Sequence, residues 1–227
     1  MKRGKKIIEA KKKVDRNRLY SLEEAISLMK ECKYSSFDET VDMQVKLIHK
    51  SYQNIRGNAV LPAGTGKEKK VLVICKGDKQ KEAQDAGADY VGAEDVIEKI
   101  KGGWIDFDAV VATPDMMKEV GKLGPVLGKK GLMPKPKAGT VTEDVKGIVK
   151  ELKGGRVEYK ADKTGVIHMG IGKVSFANNQ IADNVKALYH QIVKDKPADA
   201  KGNYIKSVTI SSTMGPGIKI NYKGIEK

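Results

Sequence analysis

The sequence predicts an α/β protein in two parts: a discontinuous α+β domain, with an antiparallel sheet backed by helices, and an inserted Rossmann-like parallel α/β domain. Three observations support this. Positive charge is concentrated at the two ends of the chain, the ends contain strands of alternating polarity, and the middle contains uninterrupted apolar strands. We therefore expect a discontinuous domain one from residues 1–67 and 157–227, and an inserted domain two from residues 68–156.

The charge distribution points to a polyanionic partner. Residues 1–67 hold 15 Lys and Arg against 8 Asp and Glu, and residues 157–227 hold 11 against 6, whereas residues 68–156 hold 17 against 15. A pI near 9.5 favours nucleic acid, because Lys and Arg release counterions from a phosphate backbone. The first 18 residues are strongly basic, which fits either an arm that contacts phosphate or a solubilising tail.

Several classes of protein are not supported by the composition. Cys32 and Cys75 form no CxxC motif, and the three histidines lack metal-ligand spacing. No apolar run approaches the length of a membrane span, and no apolar segment follows the basic N-terminus as in a secretory signal. We expect a cytoplasmic protein with no metal, no cofactor and no contact with a membrane.

The N-terminal elements follow from capping and periodicity. Ser21 and Glu24 form a capping box, so a helix is expected to run to about Lys33. Apolar residues alternate with polar ones from 40 to 47, which predicts a half-buried strand. A second strand is expected at 55–62 and a flexible turn at 63–67.

The middle of the chain alternates strands and helices, which is typical of a parallel sheet with helices on both faces. Strands are predicted at 70–75, 87–91 and 108–112, and helices up to Ala86 and at 94–101, 115–123 and 143–152. The C-terminal part is predicted to contain a hairpin of 156–161 with 164–171, a helix at 180–194, and a strand pair at 204–213 and 217–222.

The segment Gly64-Thr65-Gly66-Lys67 resembles a phosphate-binding loop but fails the Walker pattern. Leu61 stands where the first Gly is required, and Glu68 replaces the Mg²⁺-binding hydroxyl. An inter-domain hinge is the better interpretation. A nucleotide-binding enzyme with a basic substrate domain is the alternative function, and it lacks both a phosphate loop and an acid/base constellation in this sequence.

Residues 121–139 combine five Gly, three Pro and five Lys with apolar residues. Gly and Pro impose an unusual backbone path. Two interpretations remain open, and they are compatible: a rigid loop that presents Lys to phosphate, and a loop whose Leu and Met residues dock on the domain.

The segment from Ser207 to Gly217 carries short hydroxyls on one strand face, at positions 207, 209, 211 and 213. Short side chains let a nucleic-acid backbone approach and accept hydrogen bonds. Gly215 and Gly217 leave the following turn free of side chains, and Met214 offers a flexible apolar contact. An ordinary solvent-facing Thr/Ser strand explains the same pattern.

A series of longer motifs identifies the chain as similar to one family, that of the bacterial large-subunit ribosomal protein L-one. The resemblance spans essentially the whole chain. The motifs, in order, are Phe37-Asp38-Glu39-Thr40-Val41, Ile55-Arg56-Gly57, Gly64-Thr65-Gly66-Lys67, Ala86-Gly87-Ala88-Asp89, Trp104-Ile105-Asp106-Phe107-Asp108, Ala112-Thr113-Pro114-Asp115-Met116-Met117, Gly131-Leu132-Met133-Pro134 and Ser212-Thr213-Met214-Gly215-Pro216.

The resemblance implies a non-enzymatic protein of the mobile stalk beside the tRNA exit site of the large ribosomal subunit. Its implied partners are large-subunit rRNA, exit-site tRNA and the mRNA of its own operon, and it is expected to be a monomer off the ribosome. The implied functions are rRNA binding, release of deacylated tRNA and translational repression.

The resemblance also implies RNA-binding residues. Phe37 and Thr40 match one RNA-facing patch, although a buried core aromatic is the rival interpretation of Phe37. A second patch comes from the last strands, and further candidates lie in the predicted hairpin region and just after it, and in the Gly-Leu-Met-Pro loop of domain two. These are Ser211, Thr213, Met214 and Gly215, then Lys163, His168, Lys173 and Ser175, and finally Lys129, Lys130 and Lys135.

The chain departs from the family pattern in two places. Residues 47–52 replace a family Asp-Pro turn with what is expected to be a shorter connection. Lys129, Lys130 and Lys135 stand where the family often has Pro, Arg and Asn, which should strengthen electrostatic contact with RNA.

Overall fold

The chain divides into two units. The first unit combines Met1–Gly66 with Val157–Lys227, and the second is the continuous segment Lys67–Arg156. A computed structural model describes residues 4–48, 55–77, 79–136, 139–197, 200 and 202–225. The altered turn at 47–52 therefore falls largely outside the described residues.

Two helices begin the first unit, α1 (Lys5–Lys12) and α2 (Leu22–Glu31). The predicted capping box is confirmed, since Glu24 N–H donates to Ser21 Oγ at 3.3 Å and Ser21 N–H donates to the Glu24 carboxylate at 3.1 Å. Helix α2 ends two residues before the predicted Lys33, and its apolar stripe is buried.

A four-stranded sheet forms the centre of the first unit. Its spatial order is β7-β1-β8-β9, and neighbouring strands are antiparallel. The strands are β1 (Thr40–Leu47), β7 (Val166–Lys173), β8 (Ile205–Ser212) and β9 (Ile218–Ile220). The central strand β1 thus pairs on both sides with strands that lie more than a hundred residues later in the chain.

The two faces of this sheet differ in polarity, as the alternation in β1 predicts. Val41, Met43, Val45 and Leu47 are fully or almost fully buried, and they join one apolar core with residues of α2 and of α8 (Asn178–Lys194). The side chains between them are polar and half-buried on the other face. The helices therefore cover one face of the sheet, and the polar face is open to a partner.

The predicted hairpin at 156–171 is wrong in its pairing. Strand β6 (Arg156–Lys160) pairs with β2 (Arg56–Val60) in a separate two-stranded sheet, whereas β7 pairs with β1. Only an isolated bridge between Ala161 and Ile167 joins the two arms of the turn among the described residues. The turn itself is correct, but each arm finds a better partner elsewhere in the chain.

The second unit is built around a three-stranded parallel sheet of order β4-β3-β5. Alternate residues of β3 enter two different cores: Leu72 and Ile74 pack with α4 to α6, while Val71 and Val73 pack with α3 and α7. Its elements are β3 (Val71–Ile74), α3 (Lys79–Asp85), β4 (Tyr90–Gly92), α4 (Glu94–Lys101), β5 (Ala109–Ala112), α5 (Met117–Gly121), α6 (Gly124–Leu127) and α7 (Val145–Lys153).

The helix predicted at 115–123 is broken. A 3-10 turn at Pro114–Met116 precedes α5, which ends at Gly121, and α6 then occupies the start of the predicted Gly/Pro/Lys loop. Pro114 fixes the first residue of the turn, and the glycines at 121 and 124 weaken a continuous helix. Leu123 and Leu127 are fully buried, so this segment docks on its own unit through apolar side chains.

The turn at 63–66 is fastened rather than flexible, contrary to the sequence-based expectation. Asn184 of α8 is fully buried and uses its whole amide: its Oδ1 accepts from Ala63 N–H at 3.0 Å, and its Nδ2 donates to the carbonyls of Gly64 at 3.0 Å and Ile171 at 2.7 Å. One side chain therefore joins helix α8, strand β7 and the end of the first chain segment.

Across the described parts of the chain, no helix is long and apolar enough to cross a membrane. The same residues contain no group of three or more His, Cys, Asp or Glu that could hold a metal ion. Cys32 and Cys75 are buried free thiols, and burial raises the pKa of both.

We expect Asn184→Asp to lower the free energy of unfolding by about 3 kcal/mol, because a carboxylate would face two carbonyl oxygens in a buried site. The matched control is Asn179→Asp, an exposed position in the first turn of the same helix, where a negative charge is tolerated. Urea unfolding of both variants checks this. Equal stability of the two would show that Asn184 does not hold the turn.

Candidate RNA-binding surface

The open face of the four-stranded sheet carries a continuous polar surface. The register places Gln44 of β1 opposite His168 of β7 and opposite Thr209 of β8, and it places Asp42 opposite Ser211. Gln44 Nε2 donates to Ser211 Oγ at 3.3 Å. Thr209 and Ser211 are short, so a ribose–phosphate backbone can approach strand β8 closely.

Thr40 and Thr213 meet where β1 begins and β8 ends. Thr213 N–H donates to Thr40 O at 3.0 Å, and Thr213 Oγ1 accepts from Thr40 N–H at 3.0 Å and donates to Thr40 O at 3.2 Å. The proton of the Thr213 hydroxyl is therefore used within the protein, and one lone pair remains to accept from a ligand. The structure brings these two predicted site residues together, although they are 173 residues apart.

Met214 follows in the turn, with a side chain that is 45% exposed. Its backbone is held on both sides by a distant loop. Its N–H donates to Glu39 Oε2 at 3.1 Å, and its carbonyl accepts from Tyr34 Oη at 2.8 Å. The backbone of the turn is thus fixed while the apolar side chain stays available for contact.

Phe37 is 50% exposed, which excludes the interpretation of a buried core aromatic. Its carbonyl accepts from Ser35 Oγ at 3.2 Å, so the loop that carries it is folded on itself. An exposed aromatic ring beside a polar face is suited to stacking on a base or a ribose.

Lys173 and Ser175 fasten the same loop from the other side. Ser175 Oγ donates to Asp38 Oδ2 at 2.9 Å, and Ser175 N–H donates to Asp38 Oδ1 at 3.1 Å. Lys173 Nζ donates to Thr40 Oγ1 at 3.3 Å and to Asp38 O at 3.4 Å. Ser175 therefore shapes the loop, while Lys173 adds a half-buried positive charge next to Thr40.

Lys163 and His168 lie around a tight turn at the other end of β7. The Asp162 carboxylate accepts hydrogen bonds from Val166 N–H and from the hydroxyl and N–H of Thr164, and these lower the pKa of Asp162 to about 2. His168 Nε2 lies 3.7 Å from Asp162 Oδ2, and the Lys163 side chain is exposed. The ionised Asp162 keeps the turn in shape at neutral pH and presents the lysine outward.

The φ of Gly215 is not positive, so its backbone conformation does not require glycine. Close packing is what excludes a side chain at this position. A β-carbon there would lie 2.5 Å from Ser212 Oγ, which is closer than van der Waals contact allows. Ser212 is buried, and its Oγ faces the Glu39 carboxylate without meeting hydrogen-bond geometry with any described group. The turn from Ser212 to Gly215 thus leaves no room for a side chain at its end.

The three lysines predicted in the second unit differ in their surroundings. Lys129 and Lys130 are exposed beyond the end of α6. Lys135 is half-buried, and its N–H donates to Thr140 Oγ1 at 2.8 Å. Only the first two therefore present their side chains freely to solvent, and all three belong to a unit other than the one that carries the polar sheet face.

The sequence interpretation missed two residues that organise the site, Glu39 and Tyr34. Glu39 is fully buried, and it accepts hydrogen bonds from Ser35 Oγ and Met214 N–H. Burial alone would raise the pKa of Glu39, but the hydroxyl and N–H groups around the carboxylate outweigh burial and hold the pKa below its ordinary value. A signal was present, because position 39 continues the buried set 41, 43, 45 and 47 of β1.

The chain matches one family model, described as the Ribosomal protein L1p/L10e family, over residues 28–216. It is also similar to the "Large ribosomal subunit protein uL1" of Leptospira biflexa serovar Patoc, strain Patoc 1 / Ames. The two are 61% identical over 223 residues, which cover 98% of this chain and 97% of that protein. The protein of the same name from strain Patoc 1 / ATCC 23582 / Paris matches with the same values.

These matches cover most of the chain, including the polar sheet face, the 34–40 loop and the 212–215 turn. The family consists of structural ribosomal proteins and not of enzymes, which removes the alternative of a nucleotide-binding enzyme. The chain belongs to the Ribosomal protein L1p/L10e family.

Proposed function

We propose that this structural protein of the large ribosomal subunit binds large-subunit rRNA at the mobile stalk through the open sheet face of its first unit. The observation that carries the proposal is the Thr40–Thr213 junction at the end of the polar sheet face. The turn at this junction exposes Met214, and the adjoining loop exposes Phe37. Hydroxyls, exposed apolar side chains and nearby lysines are the groups that bind a folded RNA.

The charge of the first unit supports the same proposal. Lys and Arg outnumber Asp and Glu by 11 in the first unit and by 3 in the second. A positive first unit attracts the phosphate backbone, while the fixed polar face supplies selectivity that charge alone does not give. The exposed Lys129 and Lys130 add a second, weaker contact with RNA from the second unit.

Two further roles are proposed, and only the second uses the same surface. We propose that the protein assists release of deacylated tRNA at the exit site, and that it represses its own operon by binding an rRNA-like fold in the mRNA. One surface cannot hold rRNA and mRNA at once, so the two RNAs should compete for it. Because the described surface is complete within one chain, we propose that the protein acts as a monomer off the ribosome.

The proposal is tested by binding of the whole chain to the stalk-base fragment of large-subunit rRNA and to a scrambled RNA of equal length, across a salt series. We expect a preference of at least 10³-fold, on the order of that seen for specific nucleic-acid complexes, and a preference that persists as salt rises. Equal, steeply salt-dependent binding to both RNAs would leave only non-specific attraction and would reject the proposal.

We expect Thr213→Ala to weaken binding to the stalk rRNA fragment by roughly 1–3 kcal/mol, because Thr40 N–H loses its partner at a site that RNA would bury. Thr213→Ser keeps the hydroxyl and is the matched control, with an affinity close to that of the wild-type chain. Fluorescence titration measures both variants, after unfolding curves have shown that they are folded. Wild-type affinity for a folded Thr213→Ala protein would remove this residue from the site.

We expect Gly215→Ala to lower both stability and RNA affinity, by about 1–2 kcal/mol each, through the clash with Ser212 Oγ. The double variant Ser212→Ala/Gly215→Ala should recover most of the loss, because the remaining distance to the Ser212 β-carbon is 3.6 Å, an ordinary contact. Thermal unfolding and titration with the rRNA fragment report the two effects. A double variant that is no better than Gly215→Ala would show that crowding by Ser212 is not the cause.

A further inference from the structure

A carboxylate is buried directly beneath the proposed RNA-binding turn. The Glu39 side chain has no exposed surface, so it cannot touch a bound RNA in this conformation. Its Oε2 accepts from Met214 N–H at 3.1 Å, and its Oε1 accepts from Ser35 Oγ. The carboxylate therefore ties the turn to a loop that lies 175 residues earlier in the chain.

The same loop holds the other polar group of Met214. Tyr34 Oη donates to the Met214 carbonyl at 2.8 Å. The turn contributes one hydrogen bond of its own nearby, from Gly215 N–H to Ser212 O at 3.1 Å. Both the N–H and the C=O of Met214 are thus fixed by side chains of residues 34–39, which orients the exposed Met214 side chain.

A negative charge at this place needs a structural explanation. Electrostatics alone disfavours a carboxylate close to a polyanion, because the two negative charges repel each other, whereas a neutral residue would not repel phosphate. Hydrogen bonds to an ionised acceptor are shorter and stronger than neutral ones, so a carboxylate fixes a backbone N–H more firmly than an amide does. The carboxylate of Glu39 would then favour RNA binding by fixing the Met214 backbone, and this gain would exceed the cost of its repulsion of phosphate.

We propose that Glu39, together with Tyr34, is a positioning residue that locks the Met214 backbone, and with it the 213–215 turn, in the conformation that meets RNA. This inference rests on the proposed function, since it concerns the same surface. It gives neither residue a direct contact with RNA.

Two substitutions at position 39 separate positioning from charge. Glu39→Asp keeps the charge but is one methylene too short to reach both partners, and Glu39→Gln keeps the reach but removes the charge. Positioning predicts that Glu39→Asp binds the stalk rRNA fragment about tenfold more weakly with an unchanged salt slope, and that Glu39→Gln binds no more tightly than the wild-type chain. Tighter binding by Glu39→Gln together with wild-type binding by Glu39→Asp would overturn the proposal.

Tyr34→Phe is the independent variant, since it removes one hydrogen bond without changing the charge or the packing of the ring. We expect it to bind the fragment several-fold more weakly. Glu23→Asp, at an exposed position of α2, is the control for the Glu-to-Asp change and should leave affinity unaltered. Wild-type affinity for both Tyr34→Phe and Glu39→Asp would also overturn the proposal.

A readout without RNA distinguishes failure of this inference from failure of the proposed function. The backbone amide resonance of Met214 in the free protein should shift in Glu39→Asp and stay in place in Glu23→Asp, because the amide proton loses its charged acceptor only in the first. If the wild-type chain shows no preference for the stalk RNA, the proposed function fails while this shift still tests the positioning contact. An unmoved resonance would overturn the inference whatever the RNA result.

Discussion

The first unit depends on the pairing of β1 with two strands from the far end of the chain. Strand β1 lies between β7 and β8, and its buried side chains fill the core beneath α2 and α8. Without β8 the central strand would keep one ladder and lose the other, and the junction between Thr40 and Thr213 would not exist. The open polar face, the 34–40 loop and the 212–215 turn are therefore properties of two sequence-distant segments held in one register.

Carboxylates within this basic surface serve its geometry. Asp38 anchors Ser175, Asp162 shapes the turn that presents Lys163, and Glu39 holds Met214. The pKa values of Asp162 and Glu39 lie below their ordinary values, so the hydrogen bonds of these carboxylates add stability above the pKa of the unfolded chain. That stability is lost as the pH falls through the folded-state pKa of each group. At neutral pH both carboxylates are ionised and keep these hydrogen bonds, while the excess of Lys and Arg makes the unit as a whole positively charged.

Much of the fold could be predicted because its signals are local. The Ser21 capping box, the alternation in β1 and the apolar run of β3 each depend on neighbouring residues alone. The pairing of β6 with β2 could not be predicted, since it depends on a distant partner, and the same holds for the fastening of the 63–66 turn by Asn184. In the site, motif resemblance pointed to Thr40 and Thr213, which the structure brings together, whereas the role of Glu39 depends on a contact with Met214, 175 residues later in the chain.

The discontinuity of the first unit also governs when that unit can complete its fold during synthesis of the chain. The second unit is continuous, so it can fold as soon as its residues leave the ribosome. Strand β1 must wait for β8, some 160 residues later, which at bacterial elongation rates amounts to roughly 8–30 s. A nascent or truncated chain that ends before β8 therefore lacks the Thr40–Thr213 junction. If the proposed surface binds RNA, such incomplete chains do not compete with finished ones through it.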